Sequence, residues 1–412
     1  MGDNASYINL ERIMHTINES SKIGTLSAGG LCRLALSDAD KQMRDLFKSW
    51  MEEEGLEVRI DDMGNMYGRR EGRNKEAAAI LIGSHLDTQT EGGNYDGILG
   101  VLASLEVIRT LNEHQIVTER PIEIVNFTNE EGARFEPPMV GSGVLANVFS
   151  KEYVLHLTDK EGRVFGEELE RIGYRGEKQN RAYHVHRFIE LHIEQGPVLE
   201  QNKIAIGAVE GIQGMTWLEV TIRGKTSHAG TTPMGMRKDA LGAAAKIIKM
   251  LNESIHEMNP DILLTMGRFS VTPGTVNSIP GEVVFSVDVR HFEDLIRDHA
   301  VEVVREKIST ITALEGFEVE IKKIWESNAT QFSSDIIELI EEAANAHGYT
   351  TQRMVSGAGH DSKYMREIVP TGMIFVPSIG GKSHCQDEYT LPEDIEKGAN
   401  VLLYVVRSLA NA

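Results

Sequence analysis

The stretch "AAAILIGSHLDTQTEGGNYDGILG", residues 77–100, decides how this chain is built. It opens on an unbroken apolar run that stops at Gly83, the pattern of a strand buried on both faces of a parallel sheet. From Ile98 the apolar positions Ile98, Val101, Leu102, Leu105, Ile108 and Leu111 recur at helical spacing. Further out, "PIEIVNFT" (121–128) and "FIELHI" (188–193) read as two more strands. Strands alternating with helices predict an α/β fold, a mostly parallel sheet with helices on both faces.

The pattern changes after Gly211. "MTWLEVTIRG" (215–224) alternates, with Leu218, Val220 and Ile222 on one face. A helix is predicted over about 237–256, strands over 262–270 and 282–290, a helix near 293–313 and a strand over 317–324. The order β-α-β-β-α-β is that of a ferredoxin-like α+β unit. A helix over 334–347, a strand over 372–378 and a helix over 392–410 then return to the first type. We therefore expect a discontinuous α/β domain, 1–212 with 328–412, interrupted by an inserted domain over 213–327.

Composition narrows the function classes. The 412 residues are 41% hydrophobic and 25% charged, enough for a sizeable core, and the net charge of −20 would repel nucleic-acid phosphates. Two cysteines, Cys32 and Cys385, provide no disulfide framework. The N-terminal stretch lacks a basic start followed by an apolar core, and no apolar run approaches the roughly 18–20 residues that cross a bilayer. These features predict a cytoplasmic protein that binds neither nucleic acid nor membrane.

In open α/β sheets, ligands gather beyond the carboxyl ends of the strands. His85, Glu130, Glu131 and His192 all fall at or just past such an end, and His384 lies in the loop "GGKSHCQDE" after the last strand. Asp96 stands where the helix begins, and Asp87 lies two residues past His85. Taken singly, Asp96 is explained as a helix N-cap, "NEEG" as a solvated turn, His192 as a half-buried strand residue and His384 as a loop residue. Taken together, imidazoles and carboxylates at strand ends are the donor set of a divalent metal site. The Asp87 carboxylate is expected on the second ring nitrogen of His85, fixing its tautomer.

The motifs "GSHLDTQTEGGNYDG", "FTNEEGARF", "ELHIEQGPVLE", "GKTSHAGTTPM", "PGTVNSIP", "DVRH", "SGAGHDS" and "MIFVPSIGGKSH" cover the chain from about residue 80 to its end. In their order and spacing the sequence resembles the M20 metallopeptidase superfamily, and more narrowly its hydantoinase/carbamoylase amidases. Related peptidases usually carry an acid where His192 stands. The resemblance implies two divalent ions per subunit, zinc, manganese, cobalt or nickel. One would take His85, Asp96 and His192, the other Asp96, Glu131 and His384, with Asp96 bridging and Glu130 as general base. It implies that the inserted domain is a lid and dimerisation domain. It also implies that His228 stabilises an oxyanion in the partner subunit of a homodimer. Gln195, Asn277 and Arg290 would hold the polar end of a small, carboxylate-bearing ureide, with Gly359 and His360 lining the same site.

The expected activity is hydrolysis of the carbamoyl C–N bond of N-carbamoyl-L-amino acids, with allantoate or N-carbamoyl-β-alanine as rival substrates. A dipeptidase or N-acyl-amino-acid deacylase keeps the fold with other chemistry. A non-catalytic binding protein would lack a ligand or the base, and every position is filled here.

Overall fold

The computed structural model describes residues 7–412. It divides into two compact units, one running to Gly211 and resuming at Gln331–Ala412, the other Ile212–Thr330. The main helices of the first part are α1 (Leu10–Ser20), α2 (Asp38–Glu53), α3 (Ile98–Glu113) and α4 (Val140–Leu145). Its strands are β1 (Glu57–Ile60), β2 (Met66–Arg70), β3 (Ala79–His85), β4 (Ile122–Phe127), β5 (Val185–Ile193) and β6 (Ile206–Ile212). The second unit holds β7 (Gly214–Arg223), α5 (Ala240–Met258), β8 (Leu263–Thr265), β9 (Phe269–Thr272), β10 (Glu282–His291), α6 (Asp294–Glu315) and β11 (Glu318–Ser327). The chain closes with α7 (Ser334–Ala346), β12 (Thr351–Ser356), α8 (Ser362–Met365), β13 (Thr371–Val376) and α9 (Pro392–Ala410). Shorter turns are left unlabelled.

The larger unit is built on a sheet of order β1-β2-β4-β3-β5-β13-β6, with β12 beside β6. Its centre is parallel: β4 with β3, β3 with β5, and β5 with β13. Its flanks are antiparallel, at β1–β2, β2–β4 and β13–β6. The sheet is therefore mixed, with the expected parallel run confined to the middle. The flanking strands β1, β2 and β6 went unread in the sequence because they are short or interrupted by glycine and polar residues.

Helices cover both sides of this centre. α3 packs on β3 and β5, and α9 packs on β13, β5 and α3. On the other face Leu81, Val125, Phe127 and Phe188 form a core with Leu145 of α4 and Met365 of α8. α3 is buried almost all round, since α1 and α9 lie outside it.

In the smaller unit β9, β10, β7 and β11 form an antiparallel sheet in that order, with β8 also on β10. Both helices lie on one face. Leu218, Val220 and Ile222 of β7 and Val283, Phe285, Val287 and Val289 of β10 pack against Ala244, Ile247 and Leu251 of α5 and Val304 and Ile308 of α6. The element order is β-α-β-β-α-β, but the edge strand expected over 262–270 is broken into β8 and β9 around Gly267. Among the described residues no helix is long and apolar enough to cross a membrane.

Phe285 is fully buried in the smaller unit's core. Phe285→Ala is expected to destabilise that unit by about 3–5 kcal/mol, seen as an early unfolding transition in urea followed by tryptophan fluorescence.

Candidate metal centre

Four neighbouring parallel strands deliver the site. His85 is the last residue of β3, and it lies beside Phe127 of β4, so Glu130 and Glu131 follow β4 at the same edge. His192 lies near the end of β5 beside Phe375 of β13, and the loop after β13 carries His384. His85, Asp96, Glu130 and His192 are buried, while His384 is half exposed. Asn129 (φ 57°), Gln195 (φ 58°) and His384 (φ 54°), beside the site, adopt left-handed backbone that is uncommon for non-glycine residues.

The ring nitrogens face carboxylates rather than one another. His192 Nε2 is 3.2 Å from Asp96 Oδ1, and His85 Nε2 is 3.8 Å from the same oxygen. His384 Nε2 is 3.4 Å from both Asp96 Oδ2 and Glu131 Oε2. Two trios result, His85–Asp96–His192 and Asp96–Glu131–His384, sharing Asp96. Donor atoms bound tetrahedrally at about 2.0–2.2 Å lie roughly 3.3–3.6 Å apart. The observed 3.2–3.8 Å separations fit that spacing better than they fit good hydrogen bonds. The donor set, imidazole with carboxylate, suits a divalent transition metal. Glu130 belongs to neither trio, and its Oε2 is 3.5 Å from His85 Nε2.

The comparisons agree with this geometry. A profile of peptidase family M20/M25/M40 matches residues 81–408. The chain is 41% identical over 403 residues to an N-carbamoyl-L-amino-acid amidohydrolase of Rhizobium meliloti, covering 98% of this chain and 97% of that one. It is 33% identical over 402 residues to an allantoate amidohydrolase of Escherichia coli, covering 97% and 98%. A crystal structure of a hydantoinase/carbamoylase family amidase from Burkholderia multivorans superposes with a TM-score of 0.96 at 44% identity, covering 99% of both chains. The chain belongs to peptidase family M20/M25/M40, among its hydantoinase/carbamoylase amidases.

Within this M20 chain the cap alternative for Asp96 falls away and the expectation for Asp87 is corrected. Asp96 is no helix cap: α3 starts at Ile98, its N-cap Gly97 makes no side-chain bond, and the Asp96 carboxylate faces the imidazoles instead. Gly97 (φ 67°) is required there, because a Cβ would lie 2.3 Å from the His85 ring. Asp87 does hold His85, but through its backbone: His85 Nδ1 is 2.9 Å from the Asp87 carbonyl oxygen and 4.0 Å from the carboxylate. The Asp87 carboxylate instead accepts from the N–H groups of Glu130 and Glu131, each at 3.3 Å. It fixes the turn that carries both acids.

Of the remaining expected residues in the larger unit, Gln195 donates from Nε2 to Asp96 Oδ2 at 2.7 Å, and its Oε1 is buried without a hydrogen-bond partner. His360 is buried with its ring edge-on to His192, centroids 4.4 Å apart, and its Nε2 is 3.0 Å from Ser356 Oγ. Gly359, one residue before, lies close to Met139. A third trio, Glu190–His192–His360, also falls within ligand reach. Its Glu190 is already saturated by Ser84 Oγ (2.7 Å) and by the N–H and Oγ of Ser362 (3.1 and 2.6 Å), which marks it as a support for β5.

In the smaller unit, His228 and Asn277 come together where Ser227–His228 pairs with Ser278–Ile279 and Ala229 N–H donates to Asn277 O. Both are exposed. His228 Nδ1 accepts from Gly230 N–H (3.0 Å) and Thr231 N–H (3.3 Å), which leaves Nε2 as the protonated, outward donor. Arg290 lies on the polar face of β10, and its guanidinium is paired in cis with Asp288 at 2.7 Å. A carboxylate reaching Arg290 would meet a guanidinium that Asp288 already orients.

Several supporting groups went unread. Gln89 Nε2 donates to Glu131 Oε2 at 2.7 Å, and Glu388 and Ser383 support the Asp96 loop. Glu388 stands four residues past His384 inside a motif already singled out, yet nothing in the spacing reveals where it turns.

Burial dominates the electrostatics. It pushes His85 down to about 4, partly offset by Asp96. Burial also opposes charge on His192, but the hydrogen bond and charge of Asp96 and the charge of Glu190 raise it to about 9. The hydrogen bond to Asp96 raises His384 to about 9. Burial, with the charge of Asp96, raises Glu131 to about 8, and burial with the charges of Asp361 and Glu131 holds Glu130 well above the carboxylate range. Near pH 7.5 the raised His384 and Glu131 favour their protonated forms, and a cation must displace those protons. Titrating metal-depleted protein with Zn²⁺ at pH 7.5, in two buffers of different ionisation enthalpy, should show proton release. The release should shrink, and apparent affinity rise, as pH approaches about 9.

Proposed function

We propose that this chain is a dinuclear, metal-dependent amidohydrolase that cleaves the carbamoyl C–N bond of N-carbamoyl-L-amino acids, giving the amino acid, ammonia and carbon dioxide. The observation that carries this is the pair of ligand trios sharing Asp96, with a further buried acid, Glu130, beside them. Relatives named N-carbamoyl-L-amino-acid amidohydrolases reach 41% and 38% identity, and those named allantoate amidohydrolases 34% and 33%, which favours the first substrate class over the second.

Two cations at this centre would polarise the carbamoyl oxygen and acidify a water. Glu130 would take the proton of an attacking water and pass it to the leaving nitrogen. Asp87 keeps Glu130 and Glu131 aimed apart by holding their two backbone N–H groups. The unpartnered Gln195 Oε1 offers an acceptor to a carbamoyl N–H. Arg290 and Asn277 receive the α-carboxylate. The outward Nε2–H of His228 suits an oxyanion donor, and its exposure suits action in the partner subunit of a homodimer built by the smaller unit, which would serve as lid and dimerisation domain. Both cysteines are free, which suits the reducing cytoplasm.

Glu130→Gln should retain its metal content and lose activity by on the order of 10²–10⁴-fold. Full activity with intact metal would overturn the base assignment. Ammonia release is to be measured on a panel of N-carbamoyl-L-amino acids, allantoate and N-carbamoyl-β-alanine. Turnover should be fastest on the first group, and no turnover of any member by metal-loaded protein would remove the proposed activity.

A further inference from the structure

Resting on the dinuclear reading above, we propose that Glu388 is a positioning residue for both cations. Its one buried carboxylate clamps the loop that carries the shared ligand Asp96 to the loop that carries His384.

Glu388 is 3% exposed. Its Oε1 accepts from two consecutive backbone donors, Tyr95 N–H at 2.9 Å and Asp96 N–H at 3.0 Å. Its Oε2 is 3.3 Å from Ser383 Oγ, and Ser383 Oγ is 2.6 Å from Asp96 Oδ2. One side chain thus grips the backbone of the shared ligand and, through Ser383, reaches its carboxylate from the opposite loop. Glu388 N–H donates to Cys385 O, closing the turn that directly follows His384.

Neither loop has regular secondary structure to hold it. α3 begins only at Ile98, and its N-cap Gly97 makes no side-chain bond. The N–H groups of Tyr95 and Asp96 are therefore buried donors outside helix and strand, and Glu388 satisfies both. The space for it is built in: a Cβ on Gly93 would lie 2.2 Å from Glu388 Oε1. Tyr95 and Tyr389 close the flank with an edge-on contact, centroids 5.9 Å apart. Asp96 can serve both trios only if Oδ1 faces His192 while Oδ2 faces His384. That orientation is set by the backbone Glu388 holds.

The test uses full-length, metal-depleted protein titrated with Zn²⁺ and with Mn²⁺ by calorimetry and chelator competition. Circular dichroism checks the fold. Removing an outer-sphere partner of a metal ligand lowers affinity by about 10–100-fold, and Glu388→Ala is expected to do so for both ions. Glu388→Gln keeps an Oε1 that accepts from both N–H groups, so its affinities should stay within roughly threefold of wild type. Gly93→Ala, which displaces the carboxylate without removing it, should reproduce the alanine loss and decides the matter if Glu388→Ala does not fold. Wild-type affinity for both ions in folded Glu388→Ala or Gly93→Ala overturns the proposal, as does a loss in Glu388→Gln as large as in Glu388→Ala. A wild-type protein that binds only one ion would instead contradict the dinuclear reading, and the clamp would then be read at that ion.

Discussion

The architecture turns on one electrostatic constraint. Asp87, Asp96, Glu130 and Glu131 are brought together with the buried His85 and His192 and the half-exposed His384. Ionised carboxylates out of water are tolerated only when something of opposite charge compensates them. The imidazoles do this for Asp96, whose carboxyl is held well below its ordinary range by His192 and His384. They do not do enough for Glu130, Glu131 or Asp87, all raised by burial and by neighbouring acids: Asp361 and Glu131 at Glu130, Asp96 at Glu131, Asp40 at Asp87. Divalent metal binding would offset the excess, and the 3.2–3.8 Å nitrogen–oxygen separations leave room for it.

The parallel centre of the sheet makes the convergence possible. In a parallel sheet all carboxyl ends emerge on one edge. β4, β3, β5 and β13 are consecutive neighbours, so residues from 85, 130–131, 192 and 384 meet there despite separations of up to three hundred positions in the chain. The loops are then fixed by polar groups rather than by helix or strand: Asp87 under the Glu130–Glu131 turn, Glu388 under the Asp96 loop. Each is a buried acid whose oxygens accept N–H or O–H groups that would otherwise be unsatisfied.

Much of this was legible before any coordinates. The apolar run at 77–82 is β3 in substance, and the helical stripe from Ile98 is α3. Candidate donors could be named because strand ends are where donor types matter, and the structure brings them into two trios. The flanking strands escaped because four- or five-residue segments such as β1 and β2 carry no periodicity. The break between β8 and β9 escaped because an edge strand tolerates an interruption that its sequence does not announce. Asp87 was assigned to the right neighbour through the wrong atom, since two residues' spacing cannot separate a carbonyl from a carboxylate. The pairing of Arg290 with Asp288 escaped because it depends on rotamers.

The sequence by itself determined the long periodic segments such as β3 and α3, the change to an alternating strand pattern after Gly211, and which residue types stand at the central strand ends, because hydrophobic period and donor chemistry are local properties. Only the tertiary structure decided that Asp96 faces two trios at once and which buried acids hold the loops, because both follow from contacts between segments hundreds of residues apart.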